Sequence, residues 1–358
     1  MHFFETLDSA IAVLKDVVEN NPDAKPLEEV DALYHGDYSK WLKLANSVKL
    51  RLAMRICYVK PDLAKQYAME AVRDGVMETA DDSALFQSWG SITIINPLEK
   101  IWNGYSDTRM GASMDSYLNG YNDPRLPVYF QPVTEGDNKG EYRGVANGMP
   151  NPQQDDYKAM SAPNVQEKST DSPLRWMMAS EVAFLRAEGA MRGWTAEMGG
   201  TAEEFYNKGI ELSFLENGLS ADAAARYAAD ETSKPTDFTD VSAANTKYNI
   251  SALGKITIKW NAGASEEEQL ERIITQKWIA MFPNGTEAWS EFRRTGYPLI
   301  FPVRSNYPTS GVDTNKQIRR MVFPQSEYSN NGAAVQEAVK LLGGPDNGGT
   351  KLWWDKKN

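Results

Sequence analysis

Few side chains in this 358-residue sequence have the types and spacing that catalysis requires. The two histidines, His2 and His35, lie at no spacing that suits a zinc site or a catalytic triad. The HExxH, GxSxG, Walker and GxGxxG patterns are missing, which argues against zincins, α/β-hydrolases, P-loop NTPases and Rossmann dehydrogenases. The 49 Asp and Glu residues could supply facing carboxylates for glycoside hydrolysis, but their spacing points to no pair. The sequence therefore predicts neither an enzyme nor a cofactor.

Two acidic doublets offer the oxygen ligands that Ca²⁺ prefers, Asp81 with Asp82 and Asp155 with Asp156. Neither doublet lies within the spacing of an EF-hand loop, and acidic side chains are mostly solvated. We therefore expect no metal site.

The sequence contains more residues suited to ligand binding than to catalysis, because aromatic residues make up 11% of the chain. Flat rings in loops can stack on the C–H face of a pyranose, while Arg and Asn side chains hydrogen-bond its hydroxyl groups. Our first choice for ligand contacts lies in a stretch without clear helical or strand periodicity and consists of Trp89, Asn96, Trp102, Tyr105 and Arg109. Our second choice is the pair Tyr142 and Arg143. The alternative is that these rings are packed in the interior, as large rings commonly are.

The overall charge and hydropathy disfavour two classes of protein, those that bind nucleic acid and those that span a membrane with a helix. A formal net charge of -11 disfavours nucleic acid as a partner, since binding to phosphate backbones depends on clustered Lys and Arg. No apolar run approaches the ~18 residues of a membrane-spanning helix. The single cysteine, Cys57, cannot form an internal disulfide, and we expect it to be a buried structural thiol.

Three amphipathic helices are predicted in the first 80 residues. Apolar residues from Phe4 to Val18 repeat at steps of three and four and end before Pro22. A second apolar face runs from Trp41 to Ile56, and Pro61 opens a third helix. The second and third helices should form an antiparallel hairpin.

Residues 81–173 form a loop-rich segment in this interpretation, because Gly, Pro, Asn and Asp accumulate there. One helix is predicted within it, at 107–119. The segment is too aromatic to be disordered.

Helical periodicity returns at Leu174, where Trp176 is placed on a face with Ser180 and later small residues. Thr201 and Glu204 form a capping box for the next helix. These two helices, with small residues at their contact, resemble one tetratricopeptide-like unit.

A further helix is predicted at 265–282, and short alternating stretches at 256–260 and 318–323 suggest minor strands. The predicted fold class is mainly α with minor β structure and at least seven helices. A sheet of five or more strands would contradict it.

Several segments of the chain, in order, strongly resemble the SusD/RagB family of Bacteroidetes. They are KWLKLANSVKLRLAMR (40–55), YNDPRLPVYF (121–130), RWMMASEVAFLRAEGAMRGW (175–194), ITQKWIAMFPNGTEAWSEFRRTGYP (274–298) and IRRMVFPQSEYSNN (318–331). Together these segments span nearly the whole chain, which makes the resemblance more specific than any one motif.

The resemblance implies a noncatalytic nutrient-binding protein with a helical scaffold of tetratricopeptide-like hairpins. Members of the family are lipid-anchored at the outer membrane and deliver glycans or similar nutrients to a SusC-like TonB-dependent transporter. The alternative is a helical scaffold that contacts the transporter and makes no direct contact with glycan. Exposed loop tryptophans would favour the first function, and their burial the second.

Two departures from the family concern the start of the chain. The lipobox cysteine is missing, and Cys57 lies too deep in a helix to replace it. The earliest helices of the family are not found ahead of Phe3. We therefore expect one SusD-like domain over 1–358 that is truncated at its N-terminus, with helical hairpins at 1–80, loops at 81–173 and a second helical part at 174–358.

Charged and aromatic residues of the recognised segments are expected to be structural, because they recur at helical spacing. We expect core rings and interhelical ion pairs from Trp41, Arg51, Trp176, Glu181, Glu188, Trp278, Trp289, Arg293 and Arg294.

Overall fold

The computed structural model describes residues 2–149, 154–164 and 172–357, and in these residues it contains fourteen α-helices and one two-stranded sheet. The helices are α1 (His2–Asn20), α2 (Tyr38–Arg55), α3 (Pro61–Arg73), α4 (Pro97–Glu99), α5 (Ala112–Gly120), α6 (Leu126–Tyr129), α7 (Gln154–Tyr157), α8 (Ala179–Met191), α9 (Thr195–Met198), α10 (Ala202–Leu215), α11 (Ala221–Ala228), α12 (Glu266–Ala280), α13 (Gly285–Thr295) and α14 (Gln325–Leu342). The strands are β1 (Ala84–Phe86) and β2 (Leu174–Met177). The mainly α fold class is thus confirmed.

The first three helices pack on one another, as their apolar faces predict. The side chain of Asp37 accepts a hydrogen bond from the backbone N–H of Lys40 and caps α2. Phe4 of α1 stacks on Tyr67 of α3, with ring centroids 4.0 Å apart. This group of helices encloses the first apolar cluster of the molecule, which also contains the buried Cys57.

Helix α8 lies at the centre of the structure, because it is buried along nearly its whole length. Val182 and Leu185 face the first cluster, whereas Phe184 and Ala187 belong to a second cluster formed with α10 and α12. Phe184 lies so close to Gly209 of α10 that a Cβ atom there would come within 2.7 Å of its ring. The α8–α10 pair is therefore the close helix contact that the small residues predict, and the Thr201–Glu204 capping box is present.

Buried ion pairs join the helices around α8. Arg51 of α2 donates two hydrogen bonds to Glu181, at 2.8 and 2.6 Å. Arg294 of α13 lies 2.6 Å from both Glu188 and Glu291. Burial alone would raise the pKa of Glu188, but the guanidinium group of Arg294 lowers it. The interhelical ion pairs expected of Arg51, Glu181, Glu188 and Arg294 are confirmed. Arg293 forms no ion pair with a described carboxylate, so that part of the expectation is wrong.

The predicted start of α8 at Leu174 is wrong. Residues Leu174–Met177 pair with β1 in an antiparallel ladder, and α8 begins only at Ala179. Trp176 is therefore not a core ring, and 49% of the residue's surface is exposed. The burial periods of a short strand and of one helical turn cannot be separated over four residues.

The predicted minor strands at 256–260 and 318–323 are absent from the structure, in which both stretches are described in full. Ile256, Ile258 and Trp260 do alternate toward the interior, but no other segment pairs with them. The alternation of apolar residues at 256–260 therefore reflects burial of alternate side chains and not pairing with another strand. The helix predicted at 107–119 is α5, which begins five residues later.

No helix in the described parts of the chain is long and apolar enough to cross a membrane.

Candidate ligand-binding site

A cleft of about 330 Å³ lies where β2, the turn after α4 and the start of α13 meet. Its walls combine aromatic rings with amide groups and one guanidinium group. The described lining residues are Asn96, Leu98, Trp102, Val128, Tyr129, Asn164, Ser172, Pro173, Leu174, Arg175, Trp176, Asn217, Phe282, Pro283 and Asn284.

One wall of the cleft is positioned by the short helix α4 and the π-helical turn at Lys100–Gly104 that follows it. Asn96 caps α4 by accepting a hydrogen bond from the backbone N–H of Leu98 at 3.0 Å. The ring of Trp102 lies nearly parallel to that of Phe282, with centroids 6.0 Å apart. Two of the sequence-predicted residues, Asn96 and Trp102, are thus brought together here.

The opposite aromatic group belongs to the small sheet. Trp176 and Phe86 stack with centroids 5.0 Å apart and an angle of 17° between the rings. The antiparallel register pairs Phe86 with Leu174, so Trp176 is its diagonal neighbour on the same face of the sheet. Stacking therefore fixes the orientation of an indole that remains half exposed.

Arg175 supplies the charge in the cleft and is incompletely hydrogen-bonded. Its Nη2 donates to the backbone oxygen of Glu216 at 3.3 Å and to Oδ1 of Asn217 at 3.1 Å. Its Nη1 is buried, and none of the described residues accepts a hydrogen bond from it. Because an unsatisfied buried donor costs roughly 1–3 kcal/mol, a ligand oxygen at this position would be stabilised.

Two asparagine side chains of the cleft each use one end of the amide group in a hydrogen bond to the protein backbone. Nδ2 of Asn164 donates to the oxygen of Pro127 at 3.0 Å, and Oδ1 of Asn284 accepts from the N–H of Glu287 at 3.3 Å. Within the described chain, the remaining amide oxygen of Asn164 and amide NH₂ of Asn284 make no hydrogen bond. The cleft therefore offers both an acceptor and a donor.

The other sequence-predicted residues of the 89–109 stretch do not line this cleft. Trp89 donates its indole N–H to the oxygen of Glu28 at 2.6 Å, and its ring lies 3.5 Å from that of His35. Arg109 donates to the backbone oxygen of Lys158, while Tyr105 projects outward with 60% of its surface exposed.

Tyr142 and Arg143 also lie elsewhere. Arg143 donates to the backbone oxygen of Thr239 at 2.6 Å and lies 3.6 Å from Asp115. Tyr142 packs in part against the second apolar cluster. Arg143 thus connects its loop to the segment at Thr239, and ligand contact by Tyr142 and Arg143 stays a prediction.

Sequence reasoning missed Arg175, Trp176 and Asn217 as candidate ligand contacts. The first two were assigned to a helix, and Asn217 follows α10 without any local signal. The one available signal was Pro173, which disfavours helical conformation just before the stretch that became β2.

An apolar groove of about 420 Å³ adjoins the cleft, because Trp176 lines both. Its other walls include Leu27, Val30, Trp41 and Phe86. Leu27 and Val30 are more than half exposed.

Within the described residues, no group of three or more His, Cys, Asp or Glu side chains is placed to hold a metal ion.

The family model of the SusD-like proteins, described as Susd and RagB outer membrane lipoproteins, matches residues 1–355. The chain belongs to the SusD-like family. Members are noncatalytic binding proteins, so the expectation that this chain is not an enzyme agrees with its family.

Solved SusD-like structures resemble the chain along almost all of its length. A chitin-binding SusD homologue from Flavobacterium johnsoniae is 43% identical with a TM-score of 0.91, and the match covers 99% of this chain and 71% of that one. A SusD-like protein from Bacteroides thetaiotaomicron is 44% identical with a TM-score of 0.90, covering 99% and 72%. A protein described as chitin-binding is 29% identical with a TM-score of 0.71, covering 99% and 73%. The comparison with curated proteins gave no match.

Proposed function

We propose that this SusD-like chain binds an oligosaccharide in the cleft between Trp102 and Trp176. The observation that carries the proposal is the convergence of these two rings in one cleft with the side chain of Arg175, whose Nη1 has no hydrogen-bond acceptor among the described residues. Its volume lies within the usual range for small-molecule sites, roughly 300–1,000 Å³.

Each kind of side chain has a separate role in this proposal. The indole of Trp176 supplies an apolar platform for the C–H face of a sugar ring, and stacking on Phe86 holds it in place before the ligand arrives. Arg175 donates from Nη1 to a hydroxyl or carbonyl oxygen of the ligand. The free ends of Asn164 and Asn284 accept and donate further hydrogen bonds, which orient the sugar.

Oligomers of N-acetylglucosamine are the first candidate ligand. Two of the similar structures are described as chitin-binding, and one of them is 43% identical to this chain. An acetamido group also suits the cleft, because its carbonyl oxygen can accept from Arg175 while its N–H donates to the amide oxygen of Asn164.

The cellular setting follows from the family in this proposal. The description of the family as outer membrane lipoproteins supports a lipid anchor and exposure at the cell surface. From there the chain would deliver glycan to a SusC-like TonB-dependent transporter. Co-purification of such a transporter with the native protein from detergent-solubilised outer membranes tests this part, and a native protein that fractionates with no outer-membrane transporter would contradict it.

Calorimetric titration with chitotetraose tests the binding site. We expect Trp176→Ala to weaken binding by roughly 1–3 kcal/mol, as for the loss of an aromatic anchor, with little loss of fold because the ring is half exposed. Trp353→Ala is the matched control, since Trp353 is also exposed, at 62%, and does not line the cleft.

Unchanged affinity in Trp176→Ala would remove the cleft as the glycan site. If chitotetraose does not bind but another glycan does, and that binding depends on Trp176, the cleft remains the proposed site and only the proposed ligand class changes.

The alternative function, a helical scaffold without direct glycan contact, is favoured by the apolar groove next to the cleft. Exposed apolar surface such as that of Leu27 and Val30 suits a protein partner better than a sugar. Under this alternative, no glycan in a broad array binds, whereas Leu27→Ser weakens association with the transporter.

A further inference from the structure

A separate pocket of about 300 Å³ lies at the C-terminal end of α13, whereas the cleft adjoins its N-terminal end. Five cationic residues line this pocket: Arg293, Lys316, Arg319, Lys351 and Lys357. No Asp or Glu is among its described lining residues. This concentration of positive charge stands out in a chain whose formal net charge is -11.

Nearby carboxylates neutralise only part of the charge. Arg319 forms two hydrogen bonds with Asp355, at 2.8 and 2.6 Å, and Lys357 lies 2.6 Å from Glu267. Lys351 is 3.9 Å from the same Asp355. In the described structure no carboxylate lies within ion-pair distance of Lys316 or Arg293. The pocket thus keeps an excess of positive charge.

The guanidinium group of Arg293 is stabilised by an aromatic ring and a backbone oxygen and not by a carboxylate of the described residues. Its guanidinium group lies over the ring of Trp289, 3.6 Å from the centroid, and Nη1 donates to the backbone oxygen of Arg319 at 2.9 Å. Its Nε is buried, and no described residue accepts a hydrogen bond from it. Burial, together with the charges of Arg55 and Arg319, lowers the pKa of Arg293 to about 10. A bound anion would relieve this repulsion.

We propose that this pocket binds a tetrahedral oxyanion, sulfate or phosphate, either free or attached to a sugar. Lys316 and Lys351 would contact it as mobile ammonium groups, while Arg293 and Arg319 form a fixed cationic wall. Phe292 and Leu299 provide apolar surface against which an attached sugar ring could pack. The site is separate from the glycan cleft and does not depend on the function proposed for it.

Calorimetric titration of the intact chain with sodium sulfate, at constant ionic strength set with sodium chloride, tests the proposal. We expect saturable binding that weakens about tenfold in Lys316→Gln, the effect of one lost charge-assisted hydrogen bond. Lys316 is exposed, so the fold should be retained. Lys139→Gln is the matched control, because it removes the same charge from an exposed turn outside the pocket.

Absence of saturable sulfate binding, or equal weakening in both lysine variants, would overturn the proposal.

Titrations with glucose 6-sulfate and with glucose distinguish the free anion from an anion attached to a sugar. Tighter binding of glucose 6-sulfate than of sulfate assigns the pocket to sulfated glycans, whereas equal binding assigns it to the free anion. Binding of plain glucose as tightly as its sulfate would also contradict the proposal. Trp176→Ala should leave sulfate affinity unchanged, which separates this test from that of the cleft.

Discussion

Glu271, on α12, carries a half-buried carboxyl group whose ionisation we expect to affect stability. Its Oε1 is buried, and no described residue donates a hydrogen bond to it. Burial raises the pKa of Glu271 to about 7, and the nearby charge of Glu268 adds to this. Between about pH 4.5 and 7 the unfolded chain therefore ionises at this position while the folded protein does not. Stability falls as the pH rises through this range.

Replacing the group with a neutral one should remove this pH dependence. We expect Glu271→Gln to be about 1–2 kcal/mol more stable than the parent chain at pH 8, allowing for partial solvent screening, and to differ little at pH 4.5. Urea unfolding at the two pH values measures the difference. Glu266→Gln, at an exposed position in the first turn of the same helix, is the control. A stability gain that is the same at both pH values would rule out burial of a charged carboxylate as its cause.

The candidate site shows which residues can be found from sequence. Asn96 and Trp102 were found because they lie in an irregular segment rich in both rings and polar groups. Arg175 and Trp176 were not, because a four-residue strand that continues directly into a helix has no separate signature. The cleft also brings together residues that are far apart in the sequence, such as Trp102, Trp176 and Phe282. Patterns within a single sequence do not indicate which distant segments come into contact.

At the scale of elements, the sequence predicts helices well where apolar residues repeat at steps of three and four over several turns. Helices α1, α2, α3, α10 and α12 have this property, and their bounds lie within a few residues of those expected. Helix α14 was missed because only Val335 in it is buried, so its burial leaves little periodicity in the sequence. The segment at 256–260 alternates in burial but pairs with no other strand, which is why a strand was wrongly predicted there. At 318–323 burial does not alternate, because Arg319 and Arg320 are both buried and Met321 and Val322 are both exposed.

The contact between α8 and α10 requires glycine at one position. A methyl group at position 209 would overlap the ring of Phe184, so we expect Gly209→Ala to destabilise the fold by about 1–3 kcal/mol despite the better helix propensity of alanine. Gly332→Ala in α14 is the matched control, because nothing lies within 4 Å of a Cβ atom there. That variant should be neutral or up to about 1 kcal/mol more stable. Thermal or urea unfolding of both variants checks the contrast, and a stabilised Gly209→Ala would show that the two helices separate easily.

At the scale of the whole molecule, one helix serves both apolar clusters. Residues Val182 and Leu185 of α8 belong to the first cluster, and Phe184 and Ala187 belong to the second. Ion pairs also connect α8 to α2 and to α13. Separating the two clusters would therefore expose one side of α8 and leave buried charges without partners, which costs several kcal/mol.

This arrangement predicts that the helical body unfolds as one cooperative unit, consistent with the single domain expected from the sequence. Leu50→Ala removes apolar volume from the first cluster, and Ile273→Ala removes it from the second. Each should cost about 2–5 kcal/mol, because both side chains are fully buried. In scanning calorimetry we expect one transition in the parent chain, and each variant should move that whole transition to lower temperature. If the two clusters were independent, Leu50→Ala would lower one part of the heat absorption and leave a second part at the parent temperature. Tryptophan fluorescence and far-UV circular dichroism, recorded on the same samples, should give the same midpoint, since a shared α8 cannot remain folded on one side while it unfolds on the other.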